Sequence, residues 1–142
     1  MIATVSCDWK CLKEQDLPLS TCQNSHTCSI ETKEITTTEL KAKFNENGLS
    51  ECVIFAGLEP IKQFEEILFF INDFRKTNQD EIVLYTGYYP HEIKWHIEKL
   101  KVFSNIIIKF GRYQANSKPI QDKVLKIPLI SENQFAVRIE DL

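Results

Sequence analysis

Hydrophobic and polar positions follow two regimes along this chain. After a short apolar segment, Ile2 to Val5, which reads as a strand, comes a polar stretch from Cys7 to about Lys33 with no sustained periodicity. From Thr36 onward the pattern is regular. Thr36 and Glu39 stand at capping-box spacing ahead of Leu40 and Phe44, predicting a helix that stops near Gly48. Glu51 to Ala56 reads as a buried strand ending at Gly57, and Pro60 opens a helix running through Arg75. Ile61, Phe64, Leu68, Ile71 and Phe74 recur in it at helical spacing. Ile82 to Tyr85 is the next strand, closing on Thr86-Gly87, and Pro90 opens a helix with Ile93, Ile97 and Leu100 on one face. Asn105 to Phe110 is a further strand, ending at Gly111.

Strand and helix thus alternate every ~25–30 residues, the period of βα units around a parallel sheet. The expected fold class is α/β with a mostly parallel sheet, in one domain spanning residues 1–142. A complete (βα)8 barrel takes ~250 residues and is excluded by length. Beyond Gly111, Val124 to Ile130 is expected as an edge strand interrupted by Pro128. Gln134 to Ile139 reads as a last short strand or a docking tail. Three successive strands end in glycine, at Gly57, Gly87 and Gly111. Ligands of parallel α/β sheets bind at that edge, where glycine permits close backbone approach. A simple turn into each following helix is the alternative, but three such glycines together favour a site along that edge.

Charge narrows the partners. Seventeen Lys plus Arg against 20 Asp plus Glu give −3, without a basic stripe, so nucleic acid is not an expected partner. The longest strongly apolar run, Ile67 to Ile71, is far short of the ~20 residues of a membrane span. The first residues do not read as a secretory signal, and the expected location is cytoplasmic. In a reducing compartment cysteines more often bind metal or do chemistry than form disulfides.

Four of the five cysteines lie in the aperiodic stretch. Cys7, Cys11 and Cys22 form C-x3-C-x10-C directly after the first strand, and Cys28 follows. Thiolates are soft ligands for iron–sulfur clusters, zinc and cuprous copper. The paired C-x2-C knuckles of a structural zinc site are absent. Three cysteines suit a [4Fe–4S] cluster with one iron left open. Cys28 reads as a loop bystander, with a fourth ligand as the alternative, and Cys52 as a small core residue. His26 reads as solvated, while His91 and His96 are five apart and do not share a helical face. Glu31, Glu34, Glu65 and Glu66 read as solvated carboxylates, while Tyr85, Tyr88 and Tyr89 cluster at the expected pocket edge, where core or rim packing accounts for them equally well. No Ser/His/Asp order, Walker loop or dinucleotide fingerprint occurs.

Cys7-x3-Cys11, Cys22-Gln23-Asn24-Ser25 and Gly57-Leu58-Glu59-Pro60, in that order, resemble the radical S-adenosylmethionine (SAM) superfamily. More narrowly they are similar to the activating proteins of anaerobic ribonucleotide reductase. Tyr85-Thr86-Gly87-Tyr88, Phe110-Gly111-Arg112-Tyr113 and Ser131-Glu132-Asn133-Gln134 extend the resemblance over nearly the whole chain. It implies a shortened partial (βα) barrel, a [4Fe–4S] cluster on Cys7, Cys11 and Cys22, and SAM held at the fourth iron. Gly57, Leu58, Glu59 and Pro60 match the segment whose backbone contacts the methionine amino group. Thr86 and Gly87 would face the ribose or carboxylate side. The implied act is reductive cleavage of SAM to place a glycyl radical on a partner enzyme. The electron donor would be a flavodoxin or ferredoxin. Two departures stand out: ten residues separate Cys11 from Cys22 where the family has two, and Leu58 replaces the motif's second glycine. Loop-closure cost rises slowly with length, so the longer loop can still gather three thiolates. The rival expectations are another radical SAM reaction on a peptide or protein, and a non-catalytic protein binding zinc or iron–sulfur through Cys7, Cys11, Cys22 and Cys28.

Overall fold

A computed structural model describes residues 1–142. Strands β1 (Ile2–Thr4), β2 (Cys52–Gly57), β3 (Glu81–Tyr85), β4 (Ile106–Phe110) and β7 (Phe135–Arg138) form one sheet in the order β1-β2-β3-β4-β7. The first four are parallel and β7 is antiparallel to β4, with Ile108 opposite Val137. β5 (Ile120–Gln121) and β6 (Pro128–Leu129) make a separate antiparallel pair. Helices α2 (Thr37–Glu46), α3 (Phe64–Phe74) and α4 (Lys94–Leu100) connect consecutive parallel strands. The sheet is therefore α/β and mostly parallel, and β1 and β7 stand at its two edges.

Period-two alternation sorts the strand residues onto two faces. Val53, Phe55, Ile82, Leu84, Ile106, Ile108 and Phe110 face the helices and build the main core with Ile67, Phe70, Ile71 and Phe74 of α3. Burying one such aromatic side chain contributes ~1.5–3 kcal/mol. On α3 the buried stripe is Phe64, Ile67, Phe70, Ile71 and Phe74, while Leu68 is only half-buried at its edge. α2 buries no residue fully, and Leu40 and Phe44 lean on the core, with Phe44 edge-on to Phe74. Its capping box forms as expected: Glu39 N–H donates to Thr36 Oγ1 and Thr36 N–H to Glu39 Oε2, at 3.2 and 2.9 Å. The opposite sheet face carries a smaller cluster of Val83, Ile107 and Ala136, covered partly by Val124 and Leu125. No helix is long and apolar enough to cross a membrane.

The cysteine stretch is not structureless. It contains a one-turn helix α1 (Lys10–Lys13) and 3-10 turns at Leu19–Thr21 and Ser25–Ser29. Elements this short leave no periodicity to read. The helices opened by Pro60 and Pro90 each begin with a 3-10 turn before the α-helix proper. Of Val124 to Ile130 only Pro128–Leu129 is strand, paired with Ile120–Gln121, which carries no sequence signal. Gln134 to Ile139 resolves into β7, a strand and not a tail.

The strand-end glycines divide into two kinds. Gly57 (φ +92°) and Gly111 (φ +100°) adopt backbone that L side chains rarely take. A Cβ on Gly57 would lie 2.8 Å from the Thr4 carbonyl oxygen, and one on Gly111 2.7 Å from that of Asn133. Both glycines thus serve contact with neighbouring backbone. Gly87 has ordinary φ, and a Cβ there would meet only side-chain atoms, Glu59 Oε2 at 3.4 Å and Arg112 Cγ at 3.8 Å. Gly57→Ala is expected to cost roughly 2–4 kcal/mol, lowering the melting temperature by about 10 °C. Gly87→Ala should melt within about 3 °C of wild type.

Candidate cluster site

The sheet ends where β1, β2, β3 and β4 deliver Thr4, Gly57, Thr86 and Gly111. A cavity of about 490 Å³ opens there, lined by Cys7, Cys11, Cys22, Gly57, Leu58, Glu59, Thr86 and Gly87. Residues up to 80 positions apart in the sequence thus share one wall. Pro60 does not reach it, being buried at the start of its 3-10 turn. Cys28 is exposed and lies outside the lining, and Cys52 sits at the far end of β2. His26 does border the cavity.

Local bonds hold the cysteine segment against the strand ends. Leu58 N–H donates to the Thr4 carbonyl at 3.0 Å and Glu59 N–H to the Ser6 carbonyl at 2.8 Å, fixing the chain just before Cys7. Asn24 Nδ2 donates to the Gly57 carbonyl at 2.6 Å and ties the Cys22 turn to β2. Gln15 Nε2 bridges the carbonyls of Cys11 and Tyr113, both at 2.7 Å, and its Oε1 accepts from Ala115 N–H at 3.0 Å. Trp9 N–H points at Cys7 Sγ, 3.3 Å away. The segments around Cys7 and Cys22 are thus tied to the end of β2, and the one around Cys11 to the chain just past β4.

The thiols are free, and Cys7, Cys11 and Cys22 are half-buried. Burial pushes Cys7 up to about 11, with smaller contributions from Glu59, Asp8 and Cys11. Burial also raises Cys11, and next the charge of Cys22 opposes its ionisation. The sulfurs thus feel one another across the cavity wall. Metal binding to such thiols displaces their protons.

Glu59 is the polar hub beside them. Only 5% exposed, its Oε1 accepts from Ile61 N–H (3.1 Å) and Thr86 Oγ1–H (2.7 Å), and its Oε2 from Gly87 N–H (2.9 Å). Burial raises its pKa, and the three donors oppose that shift. One carboxylate therefore locks the ends of β2 and β3 together.

A second network escaped the sequence reading. Arg112 is buried, with Nη2 2.5 Å from Glu92 Oε1 and Nε 3.0 Å from Glu14 Oε2. Its guanidinium lies over the rings of Tyr89 and Tyr88, at 5.1 and 5.8 Å. Lys10 also pairs with Glu92, and Tyr88 Oη–H donates to Asp8. These contacts join residues flanking Cys7 and Cys11 to the β3 and β4 ends. The signal available was Arg112 itself, following the strand-end Gly111; its partners are scattered charges with no spacing rule.

The Arg112 hydrogen bond holds the Glu92 carboxyl down to about 2. A depressed acid contributes stability that is complete above its ordinary value of 4.5 and lost as pH falls toward 2. The pair sits at a partly solvated rim, so screening limits the gain to on the order of 1–2 kcal/mol. Glu92→Gln should lower the melting temperature at pH 7 by roughly 3–6 °C, and the difference should vanish near pH 2. An unchanged difference across that range would contradict the assignment.

No three His, Cys, Asp or Glu side chains are gathered to hold a single metal ion. Thiolates bound to separate irons of one cluster stand further apart than donors to one ion. Three soft donors on one cavity wall, without a fourth, fit an iron–sulfur cluster by their chemistry. No curated protein and no solved structure matches the chain. Residues 6–135 do match the model of one family, a range that takes in all three thiols and strands β2, β3 and β4. By that match the chain belongs to the 4Fe-4S single cluster domain family.

Proposed function

We propose that this protein is a radical SAM activase that places a glycyl radical on a protein partner, anaerobic ribonucleotide reductase. The reading is carried by one observation: the cysteine triad, the Gly57–Glu59 segment and Thr86–Gly87 converge on a single cavity. Cys7, Cys11 and Cys22 would hold three irons. When bound, the cluster supplies the open iron and the electron that cleave SAM to methionine and a 5′-deoxyadenosyl radical.

The chain's own residues bind and orient. The N–H groups of Leu58 and Glu59 are committed to Thr4 and Ser6, and the Gly57 and Glu59 carbonyls accept from Asn24 Nδ2 and Lys62 N–H, so the Leu58 carbonyl is the one this segment leaves for a ligand. An amino group donates hydrogen bonds, and carbonyls are the acceptors it needs. A backbone contact of this kind accommodates Leu58 in place of glycine. Glu59, locked to Thr86 and Gly87, fixes the spacing between the two strand-end segments. The mouth of the cavity is bordered by exposed Ile30, Ile127 and Ile130, apolar surface that suits a protein partner. Action in the cytoplasm with a flavodoxin or ferredoxin donor completes the proposal.

The test is anaerobic reconstitution followed by reduction with SAM. Methionine and 5′-deoxyadenosine should form in equal amounts, and added anaerobic ribonucleotide reductase should acquire a glycyl-radical signal. Cleavage without that signal would redirect the proposal to a different peptide substrate. Absence of cleavage would end it.

A further inference from the structure

Lys109 occupies an unusual position for a lysine. It lies within the otherwise apolar strand β4, is 8% exposed, and is the sole lysine or arginine in the cavity wall. Its Nζ donates to one acceptor, the Gly111 carbonyl at 3.1 Å. That carbonyl is already satisfied by Gln134 Nε2 at 3.2 Å, so the fold does not need the lysine there. An ammonium has three N–H donors, and two of them have no acceptor in the chain. No carboxylate lies within ion-pair distance. Glu59 acts on Lys109 only from a distance, its oxygens being bonded to Ile61, Thr86 and Gly87.

Burying an unpaired ammonium is unfavourable unless something compensates it. Burial accordingly pulls the pKa of the Lys109 ammonium down to about 8. The cavity it faces is within the ~300–1,000 Å³ range of small-molecule sites. A single cation beside a neutral amide, with Glu59 in the same wall, fits a singly charged acid. A phosphate's two charges would call for a second lysine or arginine, which the wall lacks.

We propose that Lys109 is the anchor for a carboxylate carried by the molecule that fills this cavity. The carboxylate belongs either to the amino-acid end of a small molecule such as SAM or to an acidic side chain of a bound peptide. The inference stands on the chain's own residues and does not require the cluster.

Thermal melting of the full chain tests it, with wild type, Lys109→Met and Lys109→Arg. The probes are SAM and N-acetyl-glutamate amide, with the neutral N-acetyl-glutamine amide as control. A carboxylate probe should raise the wild-type melting temperature in a concentration-dependent way. Lys109→Met should weaken that probe at least tenfold, Lys109→Arg less, and ligand-free Lys109→Met should melt above wild type. Loss confined to SAM assigns the small-molecule source, and loss confined to N-acetyl-glutamate amide the peptide source. Unchanged affinity for both probes, or a ligand-free Lys109→Met that melts below wild type, would overturn the proposal.

Discussion

Replacing Cys7, Cys11 or Cys22 singly by alanine is expected to abolish the cluster, whereas Cys28→Ala and Cys52→Ala should keep it. The three thiols line one cavity, while Cys28 is exposed outside it and Cys52 lies at the opposite end of β2. With three ligands there is no spare thiolate to take over a vacated iron. Even outer-shell partners of metal ligands are worth ~10–100-fold in affinity, so loss of a ligand should exceed ~100-fold. Iron and sulfide content with visible absorbance, measured after anaerobic reconstitution, is the check. Retention of full iron in Cys22→Ala would contradict the triad. Loss in Cys28→Ala would make the site a four-cysteine one and favour the zinc or non-catalytic alternative.

The largest expected loss of stability follows removal of the Glu59 carboxylate. Glu59→Ala leaves the Ile61 and Gly87 N–H groups and the Thr86 hydroxyl without their shared acceptor. Each buried orphan costs ~1–3 kcal/mol, so the total is on the order of 4 kcal/mol. The melting temperature should fall by roughly 10–15 °C. Glu59→Gln keeps one carbonyl and should lose less. Wild type and Glu59→Gln also separate by pH. Because burial raises the Glu59 acid, the folded chain binds its proton more tightly than the unfolded chain. Wild-type stability therefore falls as pH rises from the ordinary value of 4.5 through the raised one, and is flat beyond. Glu59→Gln should lack that component. Equal pH profiles for the two proteins would show that the carboxyl titrates as it does in the unfolded chain.

The strands and long helices were legible because periodicity survives in them. Leu40 and Phe44, the α3 stripe and the three glycine-ended strands all point the right way. The capping box at Thr36 and Glu39 was readable from two residues. The cysteine stretch was not, because its helical pieces are three to five residues long and held by contacts from elsewhere, such as Gln15 to Tyr113. The pairing of Ile120–Gln121 with Pro128–Leu129 is likewise a tertiary fact.

The site was legible as a list of residue types and illegible as a set of roles. Cys7, Cys11, Cys22, Leu58, Glu59 and Thr86 were marked by motif order and do meet. Glu59 was marked for its backbone, yet its side chain is what joins β2 to β3. Gly57 and Gly111 were marked as openings for a ligand, yet a neighbouring carbonyl is what each accommodates. Of the Arg112 network only Arg112 itself left a trace, after the strand-end Gly111, since its acidic partners look like ordinary solvated carboxylates. Lys109 left a visible trace, a charge inside the apolar strand Ile106–Phe110.

The central claim is a cluster on Cys7, Cys11 and Cys22 with one iron free to take a ligand. Electron paramagnetic resonance of the reduced, reconstituted protein with and without SAM tests it most directly. The account predicts a [4Fe–4S] signal that shifts when SAM is added and is absent in Cys22→Ala. A cluster signal identical with and without SAM, or one that persists in Cys22→Ala, would contradict it.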